Sequence, residues 1–263
     1  PVVNVGSHDT ASAFAAVPAG VEEDCAFLSS GTWSLLGAEL SGPIINDAAL
    51  AANFTNEVGV CDTIRFLKNM TGLWIIQELR RVWNEQDCGY SWAAMEHMAL
   101  EAKPFEFFID PGNSVFNTPG DMAERIRAYC QRTGQNTPET HAEILRAAYE
   151  GLAFLYAEVF DSLESISGLP MDTLRIVGGG CQDHLLNQLA ANSTGKKVIT
   201  GPIEATAIGN LMVQMLAMGD IRSLEEGRSI VRESFDDESR VFKPTDSEAW
   251  QAAFKNWSDI RNN

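Results

Sequence analysis

Three short segments concentrate the groups able to do chemistry. The first is Gly6-Ser7-His8-Asp9-Thr10, between an apolar stretch and an Ala-rich one. A carboxylate held at a strand end beside a histidine can take a proton from a substrate hydroxyl. Ser, Asp and Thr are also good helix N-caps, and on residue type alone the cap is the simpler reading. The second is Ser29-Ser30-Gly31-Thr32-Trp33-Ser34. A glycine flanked by hydroxyls can turn backbone N–H and Oγ donors onto a phosphate, though an ordinary turn has the same composition. The third is Ile176-Val177-Gly178-Gly179-Gly180-Cys181-Gln182, an apolar run entering a glycine triplet ahead of a helical pattern. Glycines there permit a tight turn and let a ligand lie against the backbone at a helix N-terminus.

Several familiar chemistries are missing. The triplet fits neither GxGxxG nor GxxxxGK[ST], so neither a Rossmann fingerprint nor a P-loop is indicated. There is no GxSxG, and His8, His97, His141 and His184 are scattered, the last three within helical patterns that read as surface. The cysteines Cys25, Cys61, Cys88, Cys130 and Cys181 are odd in number and form no CxxC pair, which points away from zinc or a disulfide framework. They read as reduced core residues, and Cys181, beside the triplet, is expected to be structural as well.

The elements that must position these segments follow from periodicity and punctuation. Apolar residues 2–5 read as a strand, and residues 11–17 as a short helix. Residues 26–29 and 33–40 read as a hairpin about Ser30-Gly31-Thr32. From Arg65, the spacing of Leu67, Met70, Leu73, Trp74, Ile76 and Leu79 reads as one helix. Further helices are expected at 92–101, 121–133, 140–167, from the triplet to 189, and at 205–218, 224–234 and 247–260. Further strands are expected at 105–109, 174–177 and 198–200. The pattern describes one mixed α/β domain, strand-rich in front and helix-rich behind.

Composition sets the outer limits. A chain of 263 residues with 45% hydrophobic and 21% charged residues has enough apolar material for a large core. The formal net charge of −17 would repel nucleic acid, and no basic block offsets it. No apolar run has the length of a membrane helix, and a cytoplasmic location is expected.

Taken together, the segments resemble the C-terminal half of the FGGY carbohydrate kinases. The matching stretches are SHDTASAF, LSSGTWSLLG, ALAANFTNE, RFLKNMTGLWIIQ, IVGGGCQDHLLNQLAAN and GPIEATAIGN, in the family's order from Gly6 to about Asn210. Within that family they are most similar to members acting on L-rhamnulose. Kinases of L-fuculose or D-xylulose, or a non-catalytic actin-like nucleotide-binding module, are the alternatives. The resemblance implies an RNase H-like α/β domain of the actin-like ATPase superfamily that also contains Hsp70 and actin. It implies Asp9 as general base for the sugar's 1-hydroxyl, reversing the preference for a cap, with His8, Thr10 and Asn69 as further substrate contacts. It implies Thr32, Gln77, Gly178, Gly179 and Gly180 as ATP contacts, with Mg²⁺ accompanying ATP and no metal-ligating side chain assigned in this chain. The family's DxGxx-type phosphate turn and most of its sugar pocket have no counterpart here. The resemblance therefore implies a C-terminal domain, residues 1–263, that works with an N-terminal domain absent from this chain and is inactive alone. Where relatives carry a cysteine after Cys181, this chain reads Leu189-Ala190-Ala191-Asn192, so no shared disulfide is expected.

Overall fold

The computed structural model describes residues 2–6, 8–19 and 25–262. Ser7, which falls within the first segment discussed above, lies outside the described residues.

The sheet comprises β1 (Cys25–Ser30), β2 (Trp33–Leu40), β3 (Thr55–Val58), β4 (Ile64–Thr71), β5 (Thr173–Val177), β6 (Lys197–Thr200) and β7 (Arg240–Phe242). Their spatial order is β3-β4-β2-β1-β5-β6-β7. β1 and β2 form the expected antiparallel hairpin, and β2 continues antiparallel to β4. β5 and β6 then add in parallel on the other side of β1. Successive side chains of a strand point to opposite faces, and the two core clusters follow that rule. Leu28, Phe66 and Ile176 belong to one cluster, whereas Phe27, Leu67 and Val177 belong to the other.

The first face is covered by α6 (His141–Ser167), packed against α7 (His184–Thr194) and α10 (Ser247–Asn262), with α3 (Trp74–Glu85), α4 (Trp92–Glu101) and α5 (Met122–Arg132) around it. The second is covered by α1 (Asp9–Ala15), α8 (Ala205–Met218) and α9 (Leu224–Ser234). The remaining helix, α2 (Asp47–Ala51), lies between β2 and β3 in the chain. The α1–α8 crossing is so close that a Cβ at Gly209 would sit 1.8 Å from the Ser12 carbonyl oxygen.

The long helix α6 is specified locally. Thr140 Oγ1 accepts the Glu143 N–H at 3.2 Å and Glu143 Oε2 accepts the Thr140 N–H at 2.9 Å, a reciprocal capping box. Gly168, at φ 69°, stops the helix in the left-handed conformation that glycine adopts without Cβ strain.

Three sequence expectations are corrected. Residues 65–71 are strand β4, not the start of a helix, and α3 begins only at Trp74. β4 is covered on both faces, so Phe66, Leu67 and Met70 are all buried and alternation is blurred. Residues 105–109 form no strand. The Phe108 N–H and carbonyl are satisfied instead by the Gln135 amide, at 2.8 and 2.9 Å. Residues 2–5 form no strand either. Sequence patterning also missed α2, β3 and β7, each short and with few buried residues.

Candidate functional site

Because β1 and β5 run parallel, with Ser29 opposite Val177, the hairpin turn and the glycine triplet leave the sheet at the same edge. They are pressed together there. A Cβ at Gly178 would lie 2.9 Å from the Ser30 carbonyl oxygen, and one at Gly180 only 2.0 Å from Ser30 Oγ. Gly178 also has φ 90°, which L side chains rarely adopt. The middle residue differs: nothing lies within 4 Å of a Cβ built on Gly179. Two glycines thus make the packing possible, and the third leaves open space above the turn.

The triplet does not enter an α-helix directly. A 3₁₀ turn spans Gly179–Gln182, and Asp183 then caps α7. Asp183 Oδ1 accepts the Leu186 N–H at 2.9 Å, while Glu96 Oε2 accepts that of Leu185 at 3.2 Å. Two carboxylates therefore occupy the α7 N-terminus, which a phosphate would otherwise favour. Burial pushes the Asp183 carboxyl up to about 7, and the nearby Glu96 charge adds to that effect. Behind the turn, the Asn187 amide donates to the carbonyls of Gly180 and Cys181 at 3.1 and 3.0 Å. The Cys181 thiol donates to the Ile176 carbonyl at 3.1 Å, and burial pushes its pKa up to about 12. Cys181 braces the turn as a thiol.

The hairpin turn is tied to α3. The Leu73 N–H donates to the Gly31 carbonyl at 2.9 Å, and those of Gly72 and Trp74 to the Thr32 carbonyl at 3.2 Å each. Thr32 Oγ1 donates to Gln77 Oε1 at 3.0 Å, joining two candidate ATP contacts that are far apart in sequence. Beneath the turn, the Ser34 and Tyr156 hydroxyls meet at 2.7 Å, anchoring the hairpin on α6.

The third segment starts α1. His8 is its N-cap, accepting the Thr10 N–H on Nδ1 at 3.3 Å, so a cap is present although His8 makes it rather than Asp9. Asp9 is the first helical residue and its carboxylate is exposed. Asn69, exposed on β4 opposite Leu35, lies on the same face as Arg65. Four residues of strand separate them, about 13 Å. Hydrogen bonding among the described residues thus sorts the candidates into two groups. Thr32 and Gln77 stand with the triplet at the strand ends; His8, Asp9 and Thr10 stand at the start of α1. β4 runs between them and carries Asn69.

Sequence reasoning missed two residues bound into these groups. Arg65 donates from Nη1 to Thr10 Oγ1 at 2.7 Å, and a lone arginine in an apolar run gives no signal of such a partner. Asp183 is the other. It lay inside the helix expected from the triplet to 189; its residue type could have signalled a cap, but nothing local signals its burial. His141, expected at the surface, is half-buried, stacked on Trp83 with ring centroids 4.0 Å apart.

The central order β4-β2-β1-β5-β6, an antiparallel meander extended by two parallel strands with helices on both faces, is an RNase H-like α/β arrangement shared with solved sugar kinases. A xylulose kinase from Rhodospirillum rubrum has this fold, with a TM-score of 0.69 at 13% identity, over 97% of this chain and 50% of that one. A Plasmodium falciparum glycerol kinase solved with ADP gives 0.67 at 16% identity, over 97% and 49%. The chain belongs to the FGGY family of carbohydrate kinases, whose C-terminal domain matches residues 26–218. Among curated relatives, the rhamnulokinase of Bacteroides thetaiotaomicron is 42% identical over 97% of this chain and 51% of its own length. The rhamnulokinase of Bacillus subtilis is 44% identical over 93% and 49%. The chain thus spans about half the length of the curated relatives it matches. No helix among the described residues is long and apolar enough to cross a membrane.

Proposed function

We propose that this chain is the nucleotide-holding, base-carrying domain of a kinase that transfers the γ-phosphoryl of ATP to O1 of L-rhamnulose. An N-terminal domain would supply the facing wall of the cleft. The observation that carries the reading is the joined pair of turns, with Thr32 bonded to Gln77 and open space above Gly179. Such a surface suits a nucleotide, because backbone and hydroxyl donors meet phosphates while an uncrowded glycine admits a flat adenosine. The substrate assignment is supported by the 42–44% identity to the two rhamnulokinases.

In this reading His8, Thr10 and Asn69 hold the sugar. Asp9 accepts the proton of the 1-hydroxyl as the O1–P bond forms and the bond to the ADP leaving group breaks. Phosphoryl transfer depends mainly on alignment and charge neutralisation, so an exposed carboxylate suffices. Thr32, Gln77, Gly178, Gly179 and Gly180 hold ATP. Mg²⁺ would neutralise phosphate charge. We assign the ion to the nucleotide phosphates and their water. We place the reaction in the cytoplasm, where ATP is supplied.

The test is turnover of the full-length protein on a panel of ketoses with MgATP, together with its Asp9→Asn variant. We expect L-rhamnulose to be preferred, and Asp9→Asn to lower kcat at least a hundredfold with nucleotide affinity retained. Equal or better turnover of L-fuculose or D-xylulose would remove the substrate assignment. Unchanged turnover in Asp9→Asn would remove Asp9 as base.

A further inference from the structure

We propose that Arg65 is a positioning residue for His8, acting through the Thr10 hydroxyl to hold the imidazole with its proton on Nε2; its catalytic meaning rests on the kinase reading above. Arg65 lies on β4, and its side chain is only 2% exposed. The guanidinium is fixed on several sides. Nη2 pairs with Glu57 Oε2 at 3.0 Å. Nε and Nη2 also donate to the Val58 carbonyl at 3.4 and 3.3 Å. The Phe14 ring lies beneath the group, its centroid 5.8 Å from Cζ. Nη1 is left to donate to Thr10 Oγ1 at 2.7 Å.

That last bond determines the direction of the next. A guanidinium only donates, so Thr10 Oγ1 accepts from it and keeps its single proton for another partner. His8 Nδ1 stands 2.7 Å from the same oxygen. It also receives the Thr10 N–H at 3.3 Å, the capping bond of α1. A ring nitrogen that accepts an N–H carries no proton of its own, so Nδ1 is the bare nitrogen and Nε2 the protonated one. The relay Arg65→Thr10→His8 therefore presents an Nε2–H donor immediately before Asp9. A sugar hydroxyl or carbonyl oxygen can accept from that N–H while the neighbouring carboxylate takes a proton. Glu57, Val58 and Arg65 belong to the β3–β4 pair, so the sheet itself sets the orientation of a side chain on the helix packed above it.

The relay is read directly from ¹⁵N shifts of the His8 ring in this chain, without substrate. We expect a pyridine-like Nδ1 and a pyrrole-like Nε2 in the parent chain, and the same pattern in Thr10→Ser, which keeps the hydroxyl. The backbone N–H that both variants keep is long, at 3.3 Å, and does not hold the tautomer without the 2.7 Å hydroxyl bond, so Thr10→Val and Arg65→Met should each give averaged shifts from two exchanging tautomers. Should Arg65→Met fail to fold, Arg65→Lys, which keeps a cation beside Glu57 but lacks the fork that reaches Thr10 at the same time, is expected to give the same averaged shifts and tests the same step, while Thr10→Val, which preserves shape, tests the Thr10–His8 bond. In the full-length kinase, Thr10→Val should raise the sugar KM about tenfold, the worth of one hydrogen bond, with the ATP KM unchanged. A protonated Nδ1 in the parent chain, or an unchanged ring pattern in Thr10→Val, overturns the relay. An unchanged ring pattern in folded Arg65→Met removes Arg65 from it. A normal sugar KM in Thr10→Val overturns its service to the sugar. The ring shifts need no kinase activity, so they separate failure of the relay from failure of the kinase assignment.

Discussion

Asp183→Asn should make the chain more stable at pH 8 and nearly neutral at pH 4. In the fold, Asp183 Oδ1 caps α7 through the Leu186 N–H, and Oδ2 accepts the Tyr149 hydroxyl at 3.0 Å. Those bonds and the helix dipole favour the carboxylate. Burial opposes them and wins, aided by the Glu96 charge, lifting the carboxyl from 3.8 to about 7. The sign follows from proton counts. Between these two values the folded chain keeps a proton that the unfolded chain has released, so stability falls as pH rises through that window. Below it the group costs nothing, and above it the whole penalty is present. At about 1.4 kcal/mol per pH unit between the two values, the penalty is at most about 4 kcal/mol. Asparagine keeps the capping oxygen and can turn its NH₂ toward the Tyr149 oxygen, without a charge to bury. Urea unfolding of both proteins from pH 4 to 8, followed by tryptophan fluorescence, measures the gap. We expect about 2–4 kcal/mol in favour of the variant at pH 8, closing to under about 1 kcal/mol at pH 4. A gap independent of pH, or one favouring the parent chain at pH 8, would refute the claim that Asp183 is neutral in the fold near pH 6.

Three further outcomes follow from the packing. Gly180→Ala drives a Cβ into Ser30 Oγ and should cost about 1–3 kcal/mol in urea unfolding. Gly179→Ala, with open space around it, should change stability by less than about 1 kcal/mol yet weaken ADP binding by calorimetry if the nucleotide lies against this turn. Trp257→Phe removes a buried indole N–H that donates to the Ile109 carbonyl at 2.7 Å. It should destabilise the chain by about 1–3 kcal/mol, whereas a variant within experimental error of the parent would show that water replaces the bond.

Much of this protein is determined by local sequence. Thr140 and Glu143 start α6 and Gly168 stops it, because caps and left-handed glycines act within a few residues. The Ser30-Gly31-Thr32 turn defines its hairpin in the same way, and the triplet announces a place where backbones approach closely. The resemblance to FGGY kinases was also legible, since its segments lie in order along the chain. Tertiary structure decided the rest. Whether residues 65–71 were helix or strand depended on β2 lying beside them and on cover from both faces, which together erase the alternation that marks a strand. Residues 105–109 are irregular, with the Phe108 backbone satisfied by Gln135 and the Phe105 N–H by Glu150, both far along the chain. The candidate site divides on the same line. The glycines and hydroxyls were visible as types, but the Thr32–Gln77 bond, the Ser30–Gly180 contact and the Arg65–Thr10–His8 relay join residues distant in sequence. Such contacts are fixed by strand register and helix packing, which no short stretch of the chain encodes.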